Sequence, residues 1–100
     1  PPQTLRQIGE KGVLILDVPA GTPAAAAGIR GTSRDDRGRL VLGDIITSLD
    51  GKEVRTQRDL FEALDERRPG DKVRVGVTRD GQKGVEVEVT LGGREIGRDE

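Results

Sequence analysis

A serine or threonine nucleophile needs a neighbouring base to take its proton, and this chain contains neither histidine nor cysteine. A Ser-His-Asp triad is therefore impossible within these residues, and the two serines, Ser33 and Ser48, stand outside any Gly-x-Ser-x-Gly elbow. A Ser-Lys pair would need a desolvated amine, but Lys11, Lys52, Lys72 and Lys83 all lie beside turn residues, where water keeps an ammonium charged. The carboxylates Asp35-Asp36 and Asp65-Glu66 are adjacent in sequence, so their side chains diverge and read as solvated charge rather than an acid/base pair. Gly51-Lys52-Glu53 fails a phosphate-cradling loop at both ends. No catalytic, cofactor-binding or metal-ligating residue is expected, and any function must come from binding.

What could bind is limited by composition. Lysine and arginine number 17 against 18 aspartates and glutamates, a formal charge of −1, with both signs interspersed. The densest basic stretch, Arg34 to Arg39, is broken by Asp35 and Asp36, so neither a nucleic-acid footprint nor a basic membrane-binding face is expected. No apolar run approaches the roughly 18 residues that span a bilayer. One hundred residues make a single domain. Only Phe61 is aromatic, so its core must be assembled from valine, isoleucine, leucine and alanine. The Pro-Pro start without an initiating methionine reads as an excised fragment.

The elements that must position a binding surface follow from periodicity and turn residues. Residues 1–9 form a lead-in with one helical turn from Thr4 to Ile8. Val13 to Val18 is a nearly continuous apolar run, broken only by Asp17, between Gly12 and Pro19, which predicts a strand buried on both faces. Thr22-Pro23 followed by four alanines and Gly28 is a short helix with a cap, a preset first residue and a left-handed stop. Arg30 to Arg39 reads as a polar surface loop. Leu40 to Leu49, interrupted at Gly43-Asp44, is a strand that turns at Asp50-Gly51 into a short strand around Val54. Thr56 caps a helix from Gln57 to about Arg67, with Asp59 as its capping-box acid. Val73 to Thr78 and Val85 to Leu91 alternate apolar and polar residues around an Asp80-Gly81 turn, hence an antiparallel pair. Residues 93–100 read as a flexible tail.

This order of elements resembles the PDZ domains of the DegP/HtrA serine proteases. The words that carry the resemblance are Gly12-Val13-Leu14-Ile15-Leu16-Asp17-Val18, Thr22-Pro23-Ala24-Ala25-Ala26-Ala27-Gly28-Ile29 and Leu42-Gly43-Asp44-Ile45-Ile46-Thr47-Ser48-Leu49-Asp50-Gly51. Val54, Asp59-Leu60, Arg68-Pro69-Gly70-Asp71-Lys72-Val73 and Val77-Thr78-Arg79-Asp80-Gly81 follow in the family's order. The resemblance covers about residues 8 to 91. It implies a β-rich α+β fold, a partly open antiparallel β-barrel or sandwich of about five strands with two helices, in the permuted order of that family, over residues 10–92. It also implies a non-catalytic regulatory module of a serine endopeptidase, outside the cytoplasm or in a plastid lumen. Its partners would be extended peptides or protein C-termini and the parent protease domain, with a homo-oligomer formed through the parent; a subunit-assembly module, or the same fold in another protease type, is the alternative.

Such domains bind an extended peptide by strand addition in a groove beside the longer helix. Carried onto this sequence, the groove-facing helix residues would be Gln57, Phe61 and Leu64, with Leu60 and Ala63 turned inward. Phe61, as the sole aromatic, has core burial as its competing reading. The family's carboxylate-binding loop and peptide-pairing strand, a word like Tyr-Leu-Gly-Ile, would lie upstream of Pro1. An unpaired edge beside Val13 to Val18 is the expected consequence, and with it weak peptide binding or a vacancy filled by another chain or the tail.

Overall fold

The computed structural model describes residues 12–92. The lead-in helix expected at 4–8 and the tail at 93–100 lie outside the described residues.

Seven strands and two helices follow one another as β1 (Val13–Leu14), α1 (Pro23–Ala27), β2 (Ser33–Arg34), β3 (Leu40–Val41), β4 (Ile45–Leu49), β5 (Lys52–Glu53), α2 (Gln57–Asp65), β6 (Lys72–Arg79) and β7 (Gln82–Thr90). Five strands form one antiparallel sheet in the order β1-β4-β6-β7, with β5 also paired to β4, and the sheet does not close into a barrel. The β6–β7 hairpin is its backbone. Val73, Val75 and Val77 are buried at every second position of β6 and oppose Val89, Val87 and Val85 of β7, so one face of the pair is aliphatic and the other charged. Both Asp-Gly turns behave as expected, with positive φ at Asp50, Gly51, Asp80 and Gly81.

One irregularity shapes the sheet centre. The β4–β6 register shifts between Ile46 and Ser48, leaving Thr47 as an extra residue that bends β4. Its carbonyl accepts from Val54 N–H at 2.9 Å, which ties the segment before α2 to the bulge. Opposite Ser48 stands Gly76, where a Cβ would collide with the Ser48 Oγ.

The helices end as their capping residues dictate. Thr22 accepts from Ala25 N–H at 3.2 Å to start α1, and Gly28 stops it at φ 90°. Thr56 accepts from Asp59 N–H at 3.2 Å, while the Asp59 carboxylate reaches back to Arg55 N–H at 3.0 Å. The helix expected to reach Arg67 ends at Asp65. Glu66 and Arg67 N–H bond instead to the carbonyls of Ala63 and Leu64, a tightened last turn.

Three expectations need correction. The strand expected from Val13 to Val18 is regular only over Val13–Leu14, and Leu16 is 55% exposed rather than buried. Beyond Leu14 the chain is held by single bonds, Ile15 N–H to the Asp44 carbonyl and Thr32 N–H to the carbonyls of Ile15 and Leu16, not by a ladder. The loop expected from Arg30 to Arg39 contains β2, which pairs with β3 as a separate hairpin. Asp35 builds its tip by accepting from Arg37 and Arg39 N–H, both at 2.9 Å, an Asx turn hidden in a run that reads as solvated charge. The strand expected over Leu40 to Leu49 is split, because Gly43-Asp44 leaves the ladder to join Arg30.

That junction is the most buried polar site among the described residues. Asp44 is 1% exposed and accepts from Arg30 N–H at 3.0 Å and from the Arg79 guanidinium at 2.9 and 2.7 Å, a two-pronged pair. A third Arg79 bond, 3.0 Å to the Gly28 carbonyl, attaches the end of α1. Burial alone would raise the Asp44 carboxyl, but the Arg79 and Arg30 bonds outweigh it and hold the group below its ordinary value of 3.8. A carboxyl depressed in the folded state contributes stability that is complete above the unfolded-state value. That contribution is lost as pH falls through 3.8 and then through the lower folded value. Thermal melts from pH 6 to pH 2 should therefore show an acid-side fall in the wild type that is shallower in Asp44→Asn.

Candidate groove beside the second helix

The sheet leaves one wide apolar opening. Its cavity volume is about 370 Å³, with Ile15 and Val18 on one wall and Leu60 and Leu64 of α2 on the other. Its floor is the inner face of the sheet, from Ile46 and Leu49 across to Val73 and Val75. Ile15, Asp17 and Val18, which follow β1 in the chain, belong to its lining. Ile15 N–H points to β4, so the alternation of an antiparallel ladder turns the N–H and C=O of Leu14 toward the opposite edge, which no described strand occupies. An apolar trough beside an unpaired strand edge has the shape that accepts an extended chain: the edge offers main-chain hydrogen bonds and the trough takes alternate side chains.

Of the three residues expected to face such a groove, Leu64 lines the cavity. Gln57 and Phe61 stand exposed on the same helix, outside the lining, and Phe61 at 56% exposure is not part of the core. Leu60, expected to turn inward, lines the cavity with Leu64, as residues four apart on a helix share a face. Ala63 is buried beside β5. Sequence reasoning missed Asp17, Val18 and Leu91 as lining residues. Val18 and Leu91 carry no local signal beyond apolarity; their place depends on where the chain crosses the sheet's open end.

The match to known proteins agrees with this geometry. Residues 3–91 fit the family model described as PDZ domain. The chain belongs to the PDZ domain family. Protease Do-like 1, chloroplastic, of Arabidopsis thaliana is 48% identical over 91 residues, which is 91% of this chain and 20% of that protein. Periplasmic pH-dependent serine endoprotease DegQ of Escherichia coli is 37% identical over 82 residues, 82% of this chain and 15% of its own length. This PDZ domain is thus similar to segments of DegP/HtrA-like serine proteases, and it spans a fifth or less of these two relatives. A solution structure from Geobacillus thermodenitrificans superposes with a TM-score of 0.59 at 31% identity, covering 86% of this chain and 84% of that one.

Proposed function

We propose that this PDZ domain is the peptide-binding regulatory module of a DegP/HtrA-like serine endopeptidase, recruiting substrate or transmitting peptide occupancy to the protease domain. The observation that carries the reading is the apolar cavity between α2 and the segment that follows β1, a strand whose outer edge no other described strand occupies. An extended segment or protein C-terminus laid along that edge would bond to the Leu14 backbone and place an aliphatic side chain against Leu60 and Leu64. The exposed face of α2, with Gln57 and Phe61, would flank the segment. Conformity with the DegP/HtrA relatives supports the parent activity.

Titration with short aliphatic peptides, followed by amide chemical shifts, tests this. Saturable shifts at Leu14, Leu60 and Leu64 are expected, and shifts confined to other faces would refute the site. Phe61→Ala should weaken binding about threefold or more while changing stability by no more than about 0.5 kcal/mol, because the ring is mostly in water. Equal losses in both would assign Phe61 to the fold instead.

A second reading, a subunit-assembly module, is favoured by the β2–β3 hairpin, which leaves Leu40 at 53% and Val41 at 42% exposure. Sedimentation over a concentration series separates the two, since self-association without peptide-induced shifts would select assembly.

A further inference from the structure

The groove's only ionised wall residue is a carboxylate. Asp17 follows the last exposed apolar residue of the β1 segment and lines the cavity between Ile15 and Val18. It is exposed, and among the described residues no hydrogen bond or ion pair reaches its carboxylate. The remaining lining is aliphatic apart from Thr22, and no lysine or arginine belongs to it. Among the described residues Asp36, Glu62, Asp65 and Glu88 likewise have no ion pair, but none of them lines the groove. Asp44 is paired with Arg79, Asp50 with Arg67, and Asp80 with Arg30, whereas Asp17 faces the apolar groove with no cation beside it among the described residues.

We propose that Asp17 selects the groove's occupant by charge: an extended segment in which aliphatic residues alternate with or adjoin a lysine or arginine. The inference rests on the peptide-binding reading above. An aliphatic side chain fills the cavity floor, and the basic side chain, with its long apolar stem against Val18, brings its cation to Asp17. An acidic residue at the same place would meet an unpaired like charge beside a low-dielectric wall, which penalises it. Because Asp17 is solvent-exposed, the discrimination is moderate and salt-dependent.

The experiment uses acetylated, amidated hexapeptides of alternating valine and glycine carrying one lysine, one glutamine or one glutamate at the same position, titrated into the chain by calorimetry in low salt. The lysine peptide should bind about threefold tighter than the glutamine peptide and more tightly still than the glutamate peptide. Asp17→Asn should bring the three affinities together, as should ~0.5 M salt in the wild type, where the screening length is only a few ångströms. Since the Asp17 carboxylate makes no bond to the described residues, the variant's melting temperature should match the wild type and serves as the folding control. Equal affinities in the wild type, or a lysine preference that survives Asp17→Asn, would overturn the charge selection while leaving the groove intact. Binding of none of the peptides would overturn both. Removal of residues 93–100 that strengthens all three equally shows the chain's own tail competing for the groove, and the lysine preference must then hold in the truncated chain or the proposal falls.

Discussion

Asp44→Ala should lower the stability of the domain by about 3–5 kcal/mol, the range seen when one member of a buried ion pair is removed and its partner is left behind. The size follows from what remains. The Arg79 side chain is 20% exposed and loses both carboxylate contacts, keeping only its bond to the Gly28 carbonyl. Arg30 N–H loses its 3.0 Å acceptor as well. In a chain of this length such a loss displaces the thermal midpoint by about 12 °C or more. Urea unfolding followed by circular dichroism measures it. A change under ~1 kcal/mol would show that water replaces the carboxylate without cost, and the junction would then be no more than a surface contact. Replacing both partners with apolar residues should recover part of the loss, because the penalty comes chiefly from the stranded guanidinium.

The second large effect is expected at the adjacent residue. A Cβ on Gly43 would lie 2.5 Å from the Gly31 carbonyl carbon, 2.6 Å from the Arg30 carbonyl oxygen and 2.7 Å from Thr32 N. All three are backbone atoms, so no side chain can swing aside. The two segments must separate, and in doing so they strain Asp44 N–H to the Arg30 carbonyl at 2.9 Å and Gly43 N–H to the Thr32 hydroxyl at 3.0 Å. Overpacking of this kind costs roughly 1–3 kcal/mol and each weakened hydrogen bond about 1 kcal/mol more, so Gly43→Ala should destabilise by about 3 kcal/mol. Because it acts on the same junction as Asp44→Ala, the double variant should fall short of the sum. Additive losses in denaturant melts would mean that the two residues stabilise different parts of the fold.

These two residues also show where sequence reading reached and where it stopped. Gly43 and Asp44 are legible as a turn in which a glycine is wanted and a carboxylate can fix a nearby backbone N–H, but the N–H that Asp44 fixes is that of Arg30, 14 positions away. Arg79 is not legible, because it lies 35 positions away and looks like one more exposed arginine at a hairpin end. Gly43 differs from Gly28 in the same way. Gly28 is required by a positive φ that the helix stop announces locally, whereas Gly43 is required by the irregular segment of residues 30–32, which passes against it. The β6–β7 hairpin, with both its alternation and its Asp-Gly turn, could be read in full because every determinant is local. On the groove, the family resemblance pointed to Gln57, Phe61 and Leu64, but of these only Leu64 lines the cavity, where Leu60 joins it while Phe61 faces water. Which residues of α2 face the sheet depends on tertiary packing, in which Ala63 is buried, and the periodicity of a short helix does not fix it to better than one residue.

The collar at the tip of the β2–β3 hairpin is self-contained. Its bonds run from Asp35 to Gly38, Arg37 and Arg39 and return within five positions, and neither β2 nor β3 joins the main sheet. Residues can therefore be added or removed between Arg34 and Leu40 without shifting the pairing of any valine in the core, and the entropy of a longer excursion grows only slowly with its length. In evolutionary terms the hairpin is an adjustable arm. Domains sharing this sheet can change how far they reach toward a neighbour while the sheet and the cavity beside it stay as they were.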